Sequence, residues 1–377
     1  MIMGSLQKSL TGCRRFLFLQ YETALGAAVL TTPMFQALRE SIPDAQITVA
    51  GAGLPLQMLR SHPAVNECIV TPHALRSFPK ALAFFLQKIR PRRREFDCVI
   101  TDGGNRRTKI ALLGLASGIR YRIGMTVRPE LYCASIPYDE SIGVLENNLR
   151  VLELLGVRTT VREPRIYCVP EEGEAAEKLL AKHGVDRERP VIAFVAQTSG
   201  GHPNQWFDVR FVEVAEEIHR KYEAQILFVG TKAETPKIQE LQARVGFKTF
   251  SLAGETDIPT LAAVFAVCDG VLTVDTGSMH VARAVGVPTV VLGHSANPRY
   301  EWLPKANERL MVIRHEEVPC AFCRKNFCAT RECMQEITVA EAVEAIDRLW
   351  KQFPPSPRER AARLESMTCQ KEAAYGS

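Results

Sequence analysis

Short apolar runs recur along the chain, each closed by a small polar or glycine-bearing turn and followed by a stretch with helical spacing. RFLFLQ at Arg15–Gln20 reads as a first buried strand, residues 21–26 as a loop, and 27–39 as a helix interrupted at Pro33 that turns Leu30, Phe35 and Leu38 inward. Pro43-Asp44 turns the chain into a second strand at 46–50. A further strand at 96–101 ends in Asp102-Gly103-Gly104 and leads to a helix from about Arg107. Charge rises between 157 and 189, with a strand-like 165–169 and an acidic helix start at 170–174. That stretch is the natural place for an interdomain linker.

The same grammar then restarts. VIAFVA at 191–196 is a buried strand ending in the polar loop 197–204, and 206–219 is a helix with Phe211, Val214, Ala215 and Ile218 on its apolar face. A strand at 225–229 is followed by Gly230 to Glu234 and another helix. DGVLTVDTGSMHVARAVGVPTVVLG, residues 269–293, is a complete βαβ unit: strand 271–274, loop 275–278, a helix, then Gly286 and Pro288 opening the next strand. Strands alternating with helices across short turns predict parallel, doubly wound sheets. The predicted fold class is therefore α/β, as two Rossmann-like domains facing across a cleft. The boundaries fall at 1–165, 166–350 and a charged 351–377 end that forms a surface helix or tail.

Composition narrows this picture little. A chain of 377 residues has ample core for two domains, and its net charge of +5 demands no nucleic-acid partner. The dense basic run is Arg90 to Arg94 with Lys88 before it, a solvated face or else a contact with an anionic membrane surface or acidic substrate. No window reaches the ~18 apolar residues of a membrane span, and the first twenty residues lack a cleavage signal. A cytoplasmic protein is expected. Seven of the eleven cysteines are scattered, several among apolar stretches, as reduced thiols usually are.

The 275–278 loop carries the most chemistry. Thr276, Gly277 and Ser278 leave backbone N–H groups at a helix start, where the dipole favours an anion. Asp275 ends the strand, on the side where open α/β sheets bind ligands, and His280 can donate to a phosphate or sugar oxygen. The alternative is that Asp275 or Thr276 only caps the helix and His280 is a satisfied local histidine.

Taken together, these segments resemble glycosyltransferase family 9, the heptosyltransferases, whose fold is GT-B. The resemblance spans about residues 15 to 347. It rests on DTGSMHVARAVGVPTVVLG, supported by the segments at 30–49, 96–124, 146–156 and 252–269. It implies an inverting transfer of a sugar, heptose first, from an ADP-type nucleotide-diphosphate donor to a lipopolysaccharide core, another glycolipid or an oligosaccharide. A peripheral station at the inner face of the membrane goes with such an acceptor. It also implies that Asp275, Thr276, Gly277, Ser278 and His280 hold the donor phosphates, that Thr198 and Ser199 add hydroxyls, and that Glu234 contacts the ribose. No catalytic metal is expected.

Two departures from that family's pattern matter. Ala27 follows Gly26 where the family has Asp, the base that deprotonates the acceptor, and alanine cannot accept a proton. Glu22 is the first substitute and Asp102 the second. Asn204 stands two residues before Trp206, where the family has Lys, with His202 as a replacement cation. These losses leave a second reading open: a degenerate member that binds nucleotide sugar or glycan as a partner or regulatory protein. Finally, Cys320, Cys323, Cys328 and Cys333 have metal-ligand spacing. They predict a structural zinc or iron site, with two disulfides or four reduced thiols as alternatives.

Overall fold

The computed structural model describes residues 2–198, 204–298, 300–325 and 328–368. It comprises two compact units, one built on residues up to Val169 and the other on Pro170–Thr368. Each contains, among the described residues, one six-stranded parallel sheet.

The N-terminal sheet runs β3-β2-β1-β4-β5-β6, with β1 at Arg15–Gln20, β2 at Gln46–Gly51, β3 at Glu67–Val70, β4 at Cys98–Thr101, β5 at Tyr121–Gly124 and β6 at Ala134–Ser135. The C-terminal sheet runs β12-β11-β10-β7-β8-β9, with β7 at Val191–Val195, β8 at Gln225–Phe228, β9 at Phe250–Ser251, β10 at Gly270–Val274, β11 at Thr289–Leu292 and β12 at Leu310–Ile313. Counted from its own first strand, the second sheet repeats the order of the first. In both, the strand order reverses beside the first strand, between β1 and β4 and between β7 and β10. Ligands of doubly wound folds settle at that switch point, outside the carboxyl ends of the strands.

The apolar runs form strands because both faces of each sheet are covered. Every residue of β7 and β10 is buried, and Phe194, Phe228, Leu272 and Val274 join Phe211, Val214 and Ile218 of the helix Asp208–Tyr222 in one core. A fully buried side chain of this size contributes about 1.5–3 kcal/mol. The helix expected over 206–219 begins two residues later. Trp206 precedes it, buried, its indole N–H donating to the Ile337 carbonyl at 3.1 Å. The helix expected at 27–39 is two helices, Leu25–Val29 and Thr32–Ser41. The strand-like 165–169 is extended chain that never joins a sheet.

The C-terminal end of the second unit is stapled to its sheet. The Arg360 guanidinium pairs with Asp269, both buried, and Asp269 also accepts the N–H groups of Val191 at 2.9 Å and Ser356 at 3.0 Å. Arg360 lies on the helix Pro357–Met367, within the stretch predicted as helix or tail. No helix of the described residues is long and apolar enough to cross a membrane.

Candidate active site

In the C-terminal unit, β7 and β10 lie side by side in parallel, with Val195 opposite Thr273. The loops leaving them, from Ala196 and from Asp275, therefore emerge together. The helix Gly277–Val285 starts at Thr276, whose side chain makes no cap bond, and it stops at Gly286. Gly286 has φ 71°, a left-handed conformation that a side chain would strain. The first-turn N–H groups of that helix lack intrahelical partners by geometry. The capping alternative thus fails for Thr276. Its Oγ1 is buried without a hydrogen-bond partner among the described residues.

Three more side-chain atoms around these loops share that condition: Gln197 Nε2, Asn204 Oδ1 and His280 Nδ1. Asn204 is tied to the loop through its other end, its amide donating to the Asp275 carbonyl oxygen. Leaving a buried polar group unpaired costs about 1–3 kcal/mol. Among the described residues, four such atoms lie on the loops at two adjacent strand ends and the helix that follows, a lining of polar character. His280 is fully buried, and burial pushes its imidazole down to about 4, so it is neutral at pH 7.

Asp275 has a partner that the sequence did not suggest. His294, just beyond β11, places Nε2 3.4 Å from Asp275 Oδ2, and both side chains are nearly buried. His294 Nδ1 accepts the Ala296 N–H at 3.1 Å, so the ring proton sits on Nε2 and faces the carboxylate. The only sequence signal was its place at the carboxyl end of an apolar strand. Gln205 was missed as well. Its Oε1 accepts from the Thr198 backbone N–H at 2.9 Å and from Thr198 Oγ1 at 3.2 Å, and its Nε2 donates to the Ala196 carbonyl at 2.6 Å. The Thr198 hydroxyl is thus engaged within its own loop. Ser199 and His202 lie outside the described residues.

Glu234 is also engaged locally. Its Oε2 accepts the Thr231 N–H at 2.7 Å, forming a capping box at the turn after β8.

In the N-terminal unit, the two candidate bases follow β1 and β4, again the adjacent strands at the switch point. Asp102 is fully buried. It accepts from the Gln20 amide, from the Gly104 N–H at 2.8 Å, from the Asn105 N–H at 3.0 Å, and from the Asn105 amide at 3.1 and 3.2 Å. Burial raises its pKa, against these donors and with a further push from Glu22. Asn105 accepts the Tyr21 N–H at 2.8 Å, so this cluster locks the two exit loops together. Glu22 is 9% exposed. Its Oε1 takes the N–H groups of Thr23 at 2.7 Å and Ala24 at 2.9 Å, and its Oε2 hangs over Gly104, where an added Cβ would stand 2.6 Å away. Glu22 thus turns one carboxylate oxygen toward Gly104, whereas Asp102 is fully engaged in shaping its loop. Ala27 is buried.

The cysteine segment departs from expectation. Cys320, Cys323, Cys328 and Cys333 are all unpaired thiols, and no three His, Cys, Asp or Glu side chains among the described residues are arranged to hold a metal ion. Cys320 and Cys333 influence one another electrostatically, while Cys328 Sγ accepts the Arg331 N–H at 3.2 Å. Convergence of all four is therefore corrected to a closer approach of two. What the segment does is brace the site. The N–H groups of Phe322 and Arg324 donate to the carbonyls of Ser295 at 2.7 Å and Ala296 at 2.9 Å, beside His294, and the Arg331 guanidinium donates to the Gln205 carbonyl at 2.9 Å. Phe322, Arg324 and Arg331 all have left-handed φ, which costs a side-chain residue about 1 kcal/mol and which these anchoring bonds help hold.

Comparison with known proteins agrees with this architecture. The family model for glycosyltransferase family 9 (heptosyltransferase) matches residues 87–333. The chain is 22% identical to lipooligosaccharide heptosyltransferase 2 of Campylobacter jejuni over 340 residues, covering 89% of this chain and 98% of that protein. Among solved structures, a family 9 glycosyl transferase from Veillonella parvula superposes with a TM-score of 0.78 at 20% identity, covering 90% of this chain and 98% of that one. The ADP-heptose lps heptosyltransferase II of E. coli superposes at 0.74, also at 20% identity, covering 90% and 99%. These last two show a shared GT-B fold. With the family model spanning well over half of its length, this chain belongs to glycosyltransferase family 9 and is a glycosyltransferase.

Proposed function

We propose that this enzyme transfers a heptose, with inversion, from ADP-heptose to a lipopolysaccharide-core or related glycan acceptor. The donor half is assigned to the C-terminal unit and the acceptor half to the N-terminal unit. One observation supports the donor assignment: among the described residues, buried polar atoms of Gln197, Asn204, Thr276 and His280, on the two loops and the helix that follows, have no hydrogen-bond partner, and the helix start has no side-chain cap. A diphosphate supplies oxygens for the donors among them, the Gln197 amide and the Thr276 hydroxyl, and charge for the helix dipole.

The acceptor hydroxyl oxygen attacks the anomeric carbon as the bond to the diphosphate oxygen breaks, and Glu22 takes the hydroxyl proton. The departing nucleoside diphosphate gains charge as that bond lengthens. The N–H groups of Gly277 and Ser278, the Thr276 hydroxyl and His280 stabilise it from a preformed helix start, and Thr198, on exchanging its bond to Gln205, adds a hydroxyl together with Ser199. A neutral His280 donates one proton to phosphate. The His294 ring N–H faces the Asp275 carboxylate and orients it. Glu234 is positioned to meet the ribose if it exchanges its capping bond for the sugar hydroxyls.

Cytoplasmic action at the inner membrane face follows from the acceptor class. A transfer assay over a panel of nucleotide sugars, with Glu22→Gln as control, tests the whole. ADP-heptose should be consumed fastest, and Glu22→Gln should lose turnover. Donor binding with no turnover on any acceptor would instead favour the non-catalytic binder.

A further inference from the structure

Two neighbouring segments of the N-terminal unit share an inner face. The helix Phe78–Phe84, continued by the turns Phe85–Ile89 and Arg90–Glu95, and the helix Thr108–Ala116 pack Ala81, Phe85, Ile89, Ile110 and Leu113 into one buried cluster. Their outer faces are unusual. Leu86 is 43% exposed, Leu112 36% and Leu115 45%. Leu112 and Leu115, three apart, lie on one helical stripe. A single exposed leucine is ordinary, but three on adjoining segments mark a surface that meets something apolar.

The stripe runs into positive charge. A Cβ placed on Gly118, just past the second helix, would meet Arg93 Cδ at 3.3 Å and Arg90 Cγ at 3.6 Å, so both guanidinium stems lie against that helix end. At its start, the Lys109 ammonium stands 6.0 Å from the Phe78 ring centroid. Lys88 and Arg94 are exposed on the connecting turns. Nearby carboxylates are already engaged, Glu67 and Glu95 with Arg92 and Asp97 with Arg15, and among the described residues none pairs with Lys88, Arg90, Arg93 or Arg94.

We propose that this face docks on an anionic lipid bilayer. Exposed leucines enter the acyl boundary while arginine and lysine stems lie along the surface and put their charges at lipid phosphates. A polyanion such as nucleic acid would satisfy the charges and leave the leucines bare. This surface underlies the membrane-facing reading above, yet vesicle binding is measured with neither donor nor acceptor present.

The full chain is sedimented with phosphatidylcholine vesicles, with and without a one-third share of phosphatidylglycerol. Binding should require phosphatidylglycerol, weaken in high salt, and fall at least about tenfold in both Leu112→Gln/Leu115→Gln and Arg90→Glu/Arg93→Glu. Melting temperature and transfer to a short water-soluble acceptor should be unaltered in these variants. Absence of vesicle binding overturns the proposal, as does binding undiminished in both variants. So does equal loss to heparin competition with the leucine variant unaffected, which would mark a polyanion site. If transfer is missing while vesicle binding behaves as described, the transferase reading fails and the docking surface stands.

Discussion

The Asn204 amide donates to the backbone carbonyl of Asp275, joining the loops that leave two adjacent parallel strands. Asn204 is a neutral side chain already committed to loop geometry, and its Oδ1 has no partner among the described residues. Asn204→Asp should therefore weaken ADP binding about tenfold or more, by adding a negative charge and removing the amide donor. Titration calorimetry checks this, and an unchanged affinity would mean that Asn204 does not face the diphosphate.

Glu22→Gln should lower turnover about 10²–10⁴-fold while leaving donor affinity intact, because a positioned base acts on the acceptor proton alone. Gly104→Ala offers a subtler probe. Its methyl would stand 2.6 Å from Glu22 Oε2. That atom ends a flexible side chain, so the carboxylate should shift and the fold should hold. Turnover should drop with little change in melting temperature. Full activity in both variants would take the base role away from Glu22.

His280 gives the pH prediction. Its folded-state pKa of about 4 lies below the ordinary 6.5, so the unfolded chain binds the proton more readily between those values. Stability contributed by the neutral imidazole is complete above pH 6.5 and is lost as pH falls towards 4, by roughly 3 kcal/mol. Denaturant titrations of wild type and His280→Gln across that window should show a shallower pH dependence in the variant. Parallel curves would contradict burial of a neutral histidine.

Arg360→Met should be destabilising. It would leave Asp269 buried without its charged partner, and removing one member of a buried pair typically costs about 3–5 kcal/mol. Thermal unfolding of the C-terminal unit reports it, and a melting point equal to wild type would show the pair to be dispensable.

Arg331→Ala should weaken ADP binding several-fold without touching the site directly, since it severs the bond to the Gln205 carbonyl that steadies the loop after β7. Elemental analysis of the same protein decides the metal question. Stoichiometric zinc or iron would support a filled cysteine site. Four titratable thiols and no metal would remove it.

Both doubly wound sheets were legible in the residue pattern, because parallel strands covered on both faces must be continuously apolar and their turns must be short. That Asp275, Thr276 and His280 lie together was also readable, since helix start and strand end are neighbours in sequence. His294, Gln205 and Asn105 were not. His294 and Asn105 reach Asp275 and Tyr21 only after separate strands pair side by side, while Gln205 folds back within its own loop onto Ala196 and Thr198, a contact that residue spacing alone does not announce. The helix start was misjudged at Trp206, which serves the core, and the helix expected over 27–39 is broken by a turn at residues 30–31 instead of at Pro33. Thiol spacing suggested a closed cluster, while the bonds of Phe322, Arg324 and Arg331 to neighbouring loops set a different shape.

Removal of one buried oxygen tests the central claim most directly. Thr276→Val keeps the shape of the helix start and deletes the unpartnered Oγ1. Calorimetric titration of ADP into wild type and variant should show affinity reduced about tenfold, the loss of one hydrogen bond to a charged group. Equal affinities would mean that the diphosphate does not sit at this helix start.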